Sequence, residues 1–168
     1  MPSVPRLRFI IVFLVLLAAF EFTLLIDDVD RVVIRPLTNT IAAVSGSIIA
    51  LTERDVRVSG TTITSPCFAV DIHNGCNGVE ATMFIVAAIL AFPATWPRRL
   101  IGVAIGAALI QLANLLRVVT LFLIGCHRRA WFDTFHLAVW QTAIFAVAVG
   151  FFIVWSRRAL LTNAPNSA

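Results

Sequence analysis

Residues 74–92 read NGCNGVEATMFIVAAILAF, and the chain changes its way of folding inside this stretch. Upstream, from Asp55 to Ile72, apolar and polar residues alternate: Val56 and Val58 with Arg57 and Ser59, then Phe68, Val70 and Ile72 beyond Pro66. A period of two marks half-buried strands, and Gly60 offers a turn between them. Downstream, Val79 to Phe92 is apolar except at Glu80 and Thr82. With its flanks, from Asn77 to Trp96, this run reaches 20 residues. At about 1.5 Å per residue that is enough to cross a hydrocarbon core of roughly 30 Å. Strand edges find no partners in lipid, so the region 55–72, a small hairpin or three short strands, belongs outside the bilayer. Cys76, next to Gly75 and two positions before Gly78, therefore stands at a boundary between water and membrane.

The rest of the composition agrees. At 168 residues, 60% hydrophobic and with a mean hydropathy of +0.94, the chain has the length of one domain and is too apolar for an ordinary soluble one. All thirteen basic residues are Arg, most in short clusters beside apolar runs. That pattern reads as membrane anchoring and topology. Nucleic acid is not indicated as a partner, since no basic helix face with interleaved aromatics is present.

Three further apolar runs follow from the same argument. Phe9 to Ile26 is a first span, read as a retained anchor because no small-x-small cleavage site follows it, and Asp27, Asp28 and Asp30 end it. Leu100 to Gly125 is a third span, interrupted by Gln111, Asn114 and Arg117, and Phe135 to Trp155 is a fourth. Between the first two spans, Leu37, Ile41, Val44, Ile48 and Leu51 recur at helical spacing while Thr38, Asn39, Ser45 and Ser47 fall elsewhere. This predicts an amphipathic helix over 36–51 lying at the interface, with a membrane crossing as the alternative. Gly102 and Gly106 form a small-xxx-small contact for helix packing, and the polar tail from Thr162 is expected to be disordered.

The expected fold class is thus an all-α integral membrane protein, a single domain over 1–168. It has about four transmembrane helices (9–26, 77–96, 100–125, 135–155), an interfacial helix and a small extracytoplasmic strand region. Six arginines fall on each side of the four spans. The pairs Arg6/Arg8, Arg98/Arg99 and Arg157/Arg158 directly flank spans, which places both termini in the cytoplasm.

Under that topology three reactive side chains reach one depth. Cys76 begins the second span, His136 begins the fourth, and Arg117, 17 residues past Leu100, stands about 26 Å along the third. A thiol attacks as its thiolate, and a helix amino terminus, an Arg and a His are surroundings that favour that anion. Asn77 and Gly78 can bring backbone donors to an oxyanion, Glu80 can partner Cys76 or Arg117, and Asn114 can orient Arg117 or a substrate carbonyl.

Other constellations compete. A scaffold would use Glu80 and Arg117 as a structural pair and bury Cys76. A thiol oxidoreductase would need two cysteines close together. His73, Cys76, Cys126 and His127 offer metal-ligand types, though the adjacent second pair suits tetrahedral ligation poorly. In an oxidising compartment three cysteines allow one disulfide at most, and Cys67 with Cys126 would leave Cys76 free. Phe68, Trp131, Phe132, Phe135 and Trp140 form no cofactor box, and neither a cofactor nor a metal is expected.

The ordered blocks Asn74-Gly75-Cys76-Asn77-Gly78-Val79-Glu80, Asn114-Leu115-Leu116-Arg117 and Phe135-His136 resemble the exosortase/archaeosortase family of membrane transpeptidases. The short length and Ala91-Phe92-Pro93 are similar to the small exosortase H type, and the likeness covers about residues 55–155. Asn77 stands where many members have Ser or Ala, and the additional spans of larger members are absent. The resemblance implies a cysteine protease or transpeptidase of the bacterial inner membrane with its site on the extracytoplasmic side. Its substrates would be exported proteins that carry a C-terminal sorting motif, a transmembrane helix and a basic tail. Cys76 would form a thioester, His136 would move protons and Arg117 would support the oxyanion. The acceptor would be a cell-surface glycan or lipid, or water.

Overall fold

The computed structural model describes residues 6–161; the tail from Thr162 lies outside the described residues. Helix α1 is Arg6–Leu24, and α2 is the helical run Asp27–Ile49. A three-stranded antiparallel meander follows, with β1 Arg57–Ser59, β2 Thr62–Thr64 and β3 Ala69–Asp71. Helix α3 is Val79–Ala91 and α4 is Trp96–His127. Helix α5, Trp140–Leu161, is entered through a 3-10 turn at Arg129–Trp131, a short α turn at Phe132–Thr134 and a π segment at Phe135–Val139. Four helical runs, 6–24, 27–49, 96–127 and 129–160, are long and apolar enough to cross a membrane. The protein is an all-α membrane protein carrying a small sheet.

The polypeptide builds two cores stacked along α4. At 32 residues α4 is about 48 Å long, far more than a bilayer core requires. Around its first part, α1 packs on α3, α3 on α4 and α5, and α4 on α5. Ile85 and Ile89 of α3, Ile110 of α4, and Ile144 and Ala148 of α5 make this lower core. Gly102 and Gly106 admit α5 closely, since a Cβ on Gly106 would lie 2.9 Å from Phe151, and Trp155 covers Gly102. The last turns of α4 continue beyond the bundle. There Val118 and Phe122 pack with Ile41, Ala42 and Ile49 of α2, Ile63 of β2 and Ile72 to form the upper core.

Two boundaries differ from the sequence reading. The helix of the second run is 13 residues, Val79–Ala91, against an expected span of 77–96. Asn77 and Gly78 are taken into a turn, and Phe92 turns extended ahead of Pro93. Helix α2 starts earlier than position 36: the acidic cluster stands just after the end of α1 at Leu24 and also opens α2, where two of its three carboxylates are paired. Arg31 pairs with Asp28, Arg35 Nε donates to Asp30 at 2.7 Å, and Asn74 Nδ2 donates to the same carboxylate at 3.2 Å. The π segment Asp30–Ile34 widens the turn between the paired residues.

The buried face of α2 is also rotated from the predicted stripe. Thr38, Ile41, Ala42, Ser45, Gly46 and Ile49 are buried, whereas Leu37, Val44, Ile48 and Leu51 are exposed. Thr38, Ala42, Ser45 and Gly46 pack inward together with Ile41 and Ile49, while Leu37, Val44, Ile48 and Leu51 face out. The small residues allow close approach, since a Cβ on Gly46 would run into Val58 of β1.

The sheet is held from three directions. Thr61 and Thr62 hydroxyls donate to Asp71 Oδ1 at 2.6 and 2.9 Å. The Thr61 bond, opposed by partial burial and helped by Thr62 and His73, keeps the Asp71 carboxyl below the usual range. His127 at the end of α4 bonds Glu53 at 2.9 Å. A disulfide joins Cys67 to Cys126 across a sequence separation of 59. Closing a loop of that length removes unfolded-state entropy worth on the order of 4 kcal/mol. The paired substitution Cys67→Ser/Cys126→Ser is therefore expected to lower the thermal midpoint of the purified protein clearly. Reductant should destabilise the wild type similarly and leave the double variant unmoved.

Candidate active site

Cys76 lies where the two cores meet. Its backbone N–H donates to His73 O at 2.9 Å, closing a turn in which Gly75 and, just past the thiol, Gly78 have φ of +85° and +74°. Both values are in the left-handed region that glycine enters without strain. Gly78 is doubly required, because a Cβ there would lie 3.0 Å from Asn114 Cβ. Asn77, 1% exposed, locks the turn. Its amide nitrogen donates to Thr38 Oγ1 at 3.1 Å and Asn74 Oδ1 at 3.0 Å, and its oxygen accepts from the Val79 N–H at 3.1 Å. Thr82 Oγ1 then donates to Gly78 O at 2.8 Å and accepts from Gln111 Nε2 at 3.1 Å, tying α3 to α4.

The half-buried Cys76 is the free thiol among the described residues. His136 Nε2 stands 3.2 Å from its Sγ, delivered by the π segment ahead of α5. A guanidinium nitrogen of Arg117 points at the same sulfur from 3.8 Å. Arg117 is 4% exposed, and its Nε has no protein partner. One turn earlier Asn114 is fully buried with both amide atoms unpartnered by protein, and Gln111 Oε1 is likewise unpartnered. A buried polar group left unsatisfied costs about 1–3 kcal/mol, and these groups all lie on one stretch of α4 between Gln111 and Arg117.

A cavity of about 230 Å³ opens beside them, walled by Leu17 and Glu21 of α1, Glu80 and Phe84 of α3, Arg117, and Gln141 and Phe145 of α5. Gly75 and Gly78 form its edge. Arg117 is thus shared between the sulfur and the cavity. Gly75, Gly78 and Arg117 connect this cavity to the turn that carries the thiol, while Cys76 and His136 are not among its walls.

All the singled-out residues gather here, in different roles. Cys76, His136 and Arg117 touch. Asn77 and Gly78 shape the turn, and Asn114 packs against Gly78 without bonding Arg117. Glu80 neither bonds Cys76 nor ion-pairs with Arg117; it lines the cavity with Glu21. The structural pair that a scaffold would use is not formed. The four-residue metal constellation is not assembled either, since Cys126 is bonded to Cys67, His73 meets Asp71 at 3.2 Å and His127 meets Glu53. Sequence reasoning missed Thr38, Thr82 and Gln141. Thr38 and Thr82 read only as polar exceptions in apolar helices, which is the signal that finds such residues.

No curated protein and no solved structure matches the chain. One family does, described as transmembrane exosortase (Exosortase_EpsH), and its match runs over residues 2–154 and takes in the turn at Cys76, Arg117 and His136. The chain therefore belongs to the transmembrane exosortase family.

Proposed function

We propose that the protein is a cysteine transpeptidase that cleaves the C-terminal sorting signal of exported proteins through a thioester on Cys76. The observation that carries this reading is the 3.2 Å approach of Cys76 Sγ to His136 Nε2, with the Arg117 guanidinium 3.8 Å from the same sulfur. His136 takes the thiol proton as sulfur attacks the peptide carbonyl. The oxyanion forms beside Arg117, whose Nε is uncommitted. Collapse expels the C-terminal segment as an amine, which takes the proton from His136. An amine or hydroxyl of a cell-surface glycan or lipid then gives its proton to His136 and attacks the thioester, and the expelled Cys76 sulfur takes that proton from His136 to become a thiol again. Water in that place makes the product a free acid.

The inner membrane with the site on its extracytoplasmic side is the location we infer. Arg8 and Arg99 share a cavity at the opposite end of the bundle, and Arg98 donates to Ala159 O at 3.3 Å, so the span-flanking arginines collect there. The Cys67–Cys126 disulfide is on the end with Cys76, as an oxidising compartment requires. A substrate with a motif, a transmembrane helix and a basic tail can present its cleavage site at this depth while its tail stays with the opposite face.

The test is an exported reporter carrying such a signal, followed by its size in membranes. Wild-type protein is expected to shorten it, and Cys76→Ala and His136→Ala to leave it full length at equal protein levels. Normal processing with Cys76→Ala overturns the proposal. A membrane-impermeant maleimide should label Cys76 in whole cells, and labelling only after permeabilisation reverses the orientation.

A further inference from the structure

Resting on the function proposed above, we propose that Phe132 is a positioning residue for the reaction, its ring setting the plane in which His136 faces the thiol. In acyl-transfer sites built on a nucleophile and a His, a third group bonded to the second imidazole nitrogen orients the ring. Among the described residues no hydrogen bond to that nitrogen of His136 is formed. The His136 ring instead lies against Phe132, with centroids 5.6 Å apart and planes inclined by 26°.

This matters because the terminal torsion of histidine is broad, so the side-chain rotamer alone does not set the ring plane. The lone pair of Nε2 lies in that plane. Tilting the ring turns the lone pair away from Cys76 Sγ even if the atoms stay near one another. A flat neighbour at stacking distance supplies the missing restraint.

Phe132 is itself held firmly. Its ring meets Phe68 at 5.1 Å, and Phe68 meets the fully buried Phe122 edge-on at 5.9 Å. Phe68 follows Cys67 of the disulfide, fills the space that a side chain at Gly125 would need, and is covered by the Arg129 guanidinium at 5.7 Å. The line of rings runs from the upper core to the imidazole, and Phe132 is its last member. Its position just ahead of the π segment also fits, since the widened turn carries His136 out over the thiol.

The experiment uses purified full-length protein with its disulfide intact, so that Cys76 is the reacting thiol. It measures the rate of Cys76 alkylation by iodoacetamide against pH, together with kcat and KM for a sorting-signal peptide. Phe132→Ala and Phe132→Leu are expected to lower kcat roughly 10- to 100-fold with KM little changed. The pH dependence of alkylation should move toward that of His136→Ala. Phe132→Tyr, which keeps the flat ring, should restore kcat to within about 3-fold. Leu performing as well as Tyr overturns the proposal, because volume alone would then suffice. If His136→Ala slows alkylation and turnover while Phe132→Leu does not, this inference fails and the proposed function stands. If His136→Ala changes neither, both fail.

Discussion

Cys76→Ser is expected to reduce processing by at least about 10³-fold while leaving the fold and the expression level unchanged. Serine is close in size to cysteine, so the turn, the Asn77 hydrogen bonds and the contact with the upper core all survive. The hydroxyl points toward His136 Nε2 as the sulfur does. What is lost is the nucleophilicity of sulfur, since a thiol gives up its proton to a base far more readily than a hydroxyl does. A purely structural Cys76 predicts near-normal processing from the serine variant. The measurement is the ratio of shortened to full-length reporter at matched protein levels, and retained processing rejects the thioester mechanism.

Arg117→Met is expected to lower processing about 10²- to 10³-fold and at the same time to leave thermal stability equal or higher. Both halves follow from one fact. Arg117 is 4% exposed, its Nε has no protein partner and no carboxylate is in ion-pair contact with it, Glu80 and Glu21 facing it only across the cavity, so the folded state carries a buried guanidinium without a direct counter-ion. Exchanging such a charge for an apolar side chain of similar length removes a desolvation penalty. On the proposed mechanism it also removes a donor to the developing oxyanion. Arg117→Lys should recover little, because a point charge on a flexible stem cannot reach the sulfur and the cavity together as the planar fork does. A scaffold role predicts the reverse pattern, with stability falling in Arg117→Met. Thermal melts in detergent beside reporter processing separate the two.

Depth was legible without the structure. A helix rises about 1.5 Å per residue, so the positions of Cys76, Arg117 and His136 relative to their span ends already set them at one level. The polar interruptions Asn114 and Arg117 marked α4 as the helix that faces the site. The change from period two to an apolar run marked where the strands stop and the bundle begins. What was not legible was rotation. Of the stripe Leu37, Ile41, Val44, Ile48 and Leu51 on α2 only Ile41 is buried; the other four face outward while Thr38 and Ser45 are buried. A stripe of that kind identifies the inside only when the outside is water.

The pairing of groups that meet across the fold was likewise undecided. Cys67 and Cys126 had no spacing signal, and Glu80 was as good a partner for Arg117 as the thiol was. The turn at Gly75 and Gly78, and the seating of Gly78 on Asn114, swing Glu80 to the cavity and leave the sulfur to His136 and Arg117. Phe132 gave no signal at all, since one aromatic among several beside a membrane surface is usually belt or core.

By itself, then, the sequence determined a multi-span membrane chain, the place of its small sheet, and which three reactive side chains share a depth. These follow from length and local hydropathy, which each segment carries alone. Only the tertiary structure decided which face of α2 is inside, which cysteines join, and which neighbours hold Cys76, Arg117 and His136. Lipid and protein interior are nearly alike in polarity, so a membrane chain records depth in its sequence but leaves rotation and side-chain contact to packing.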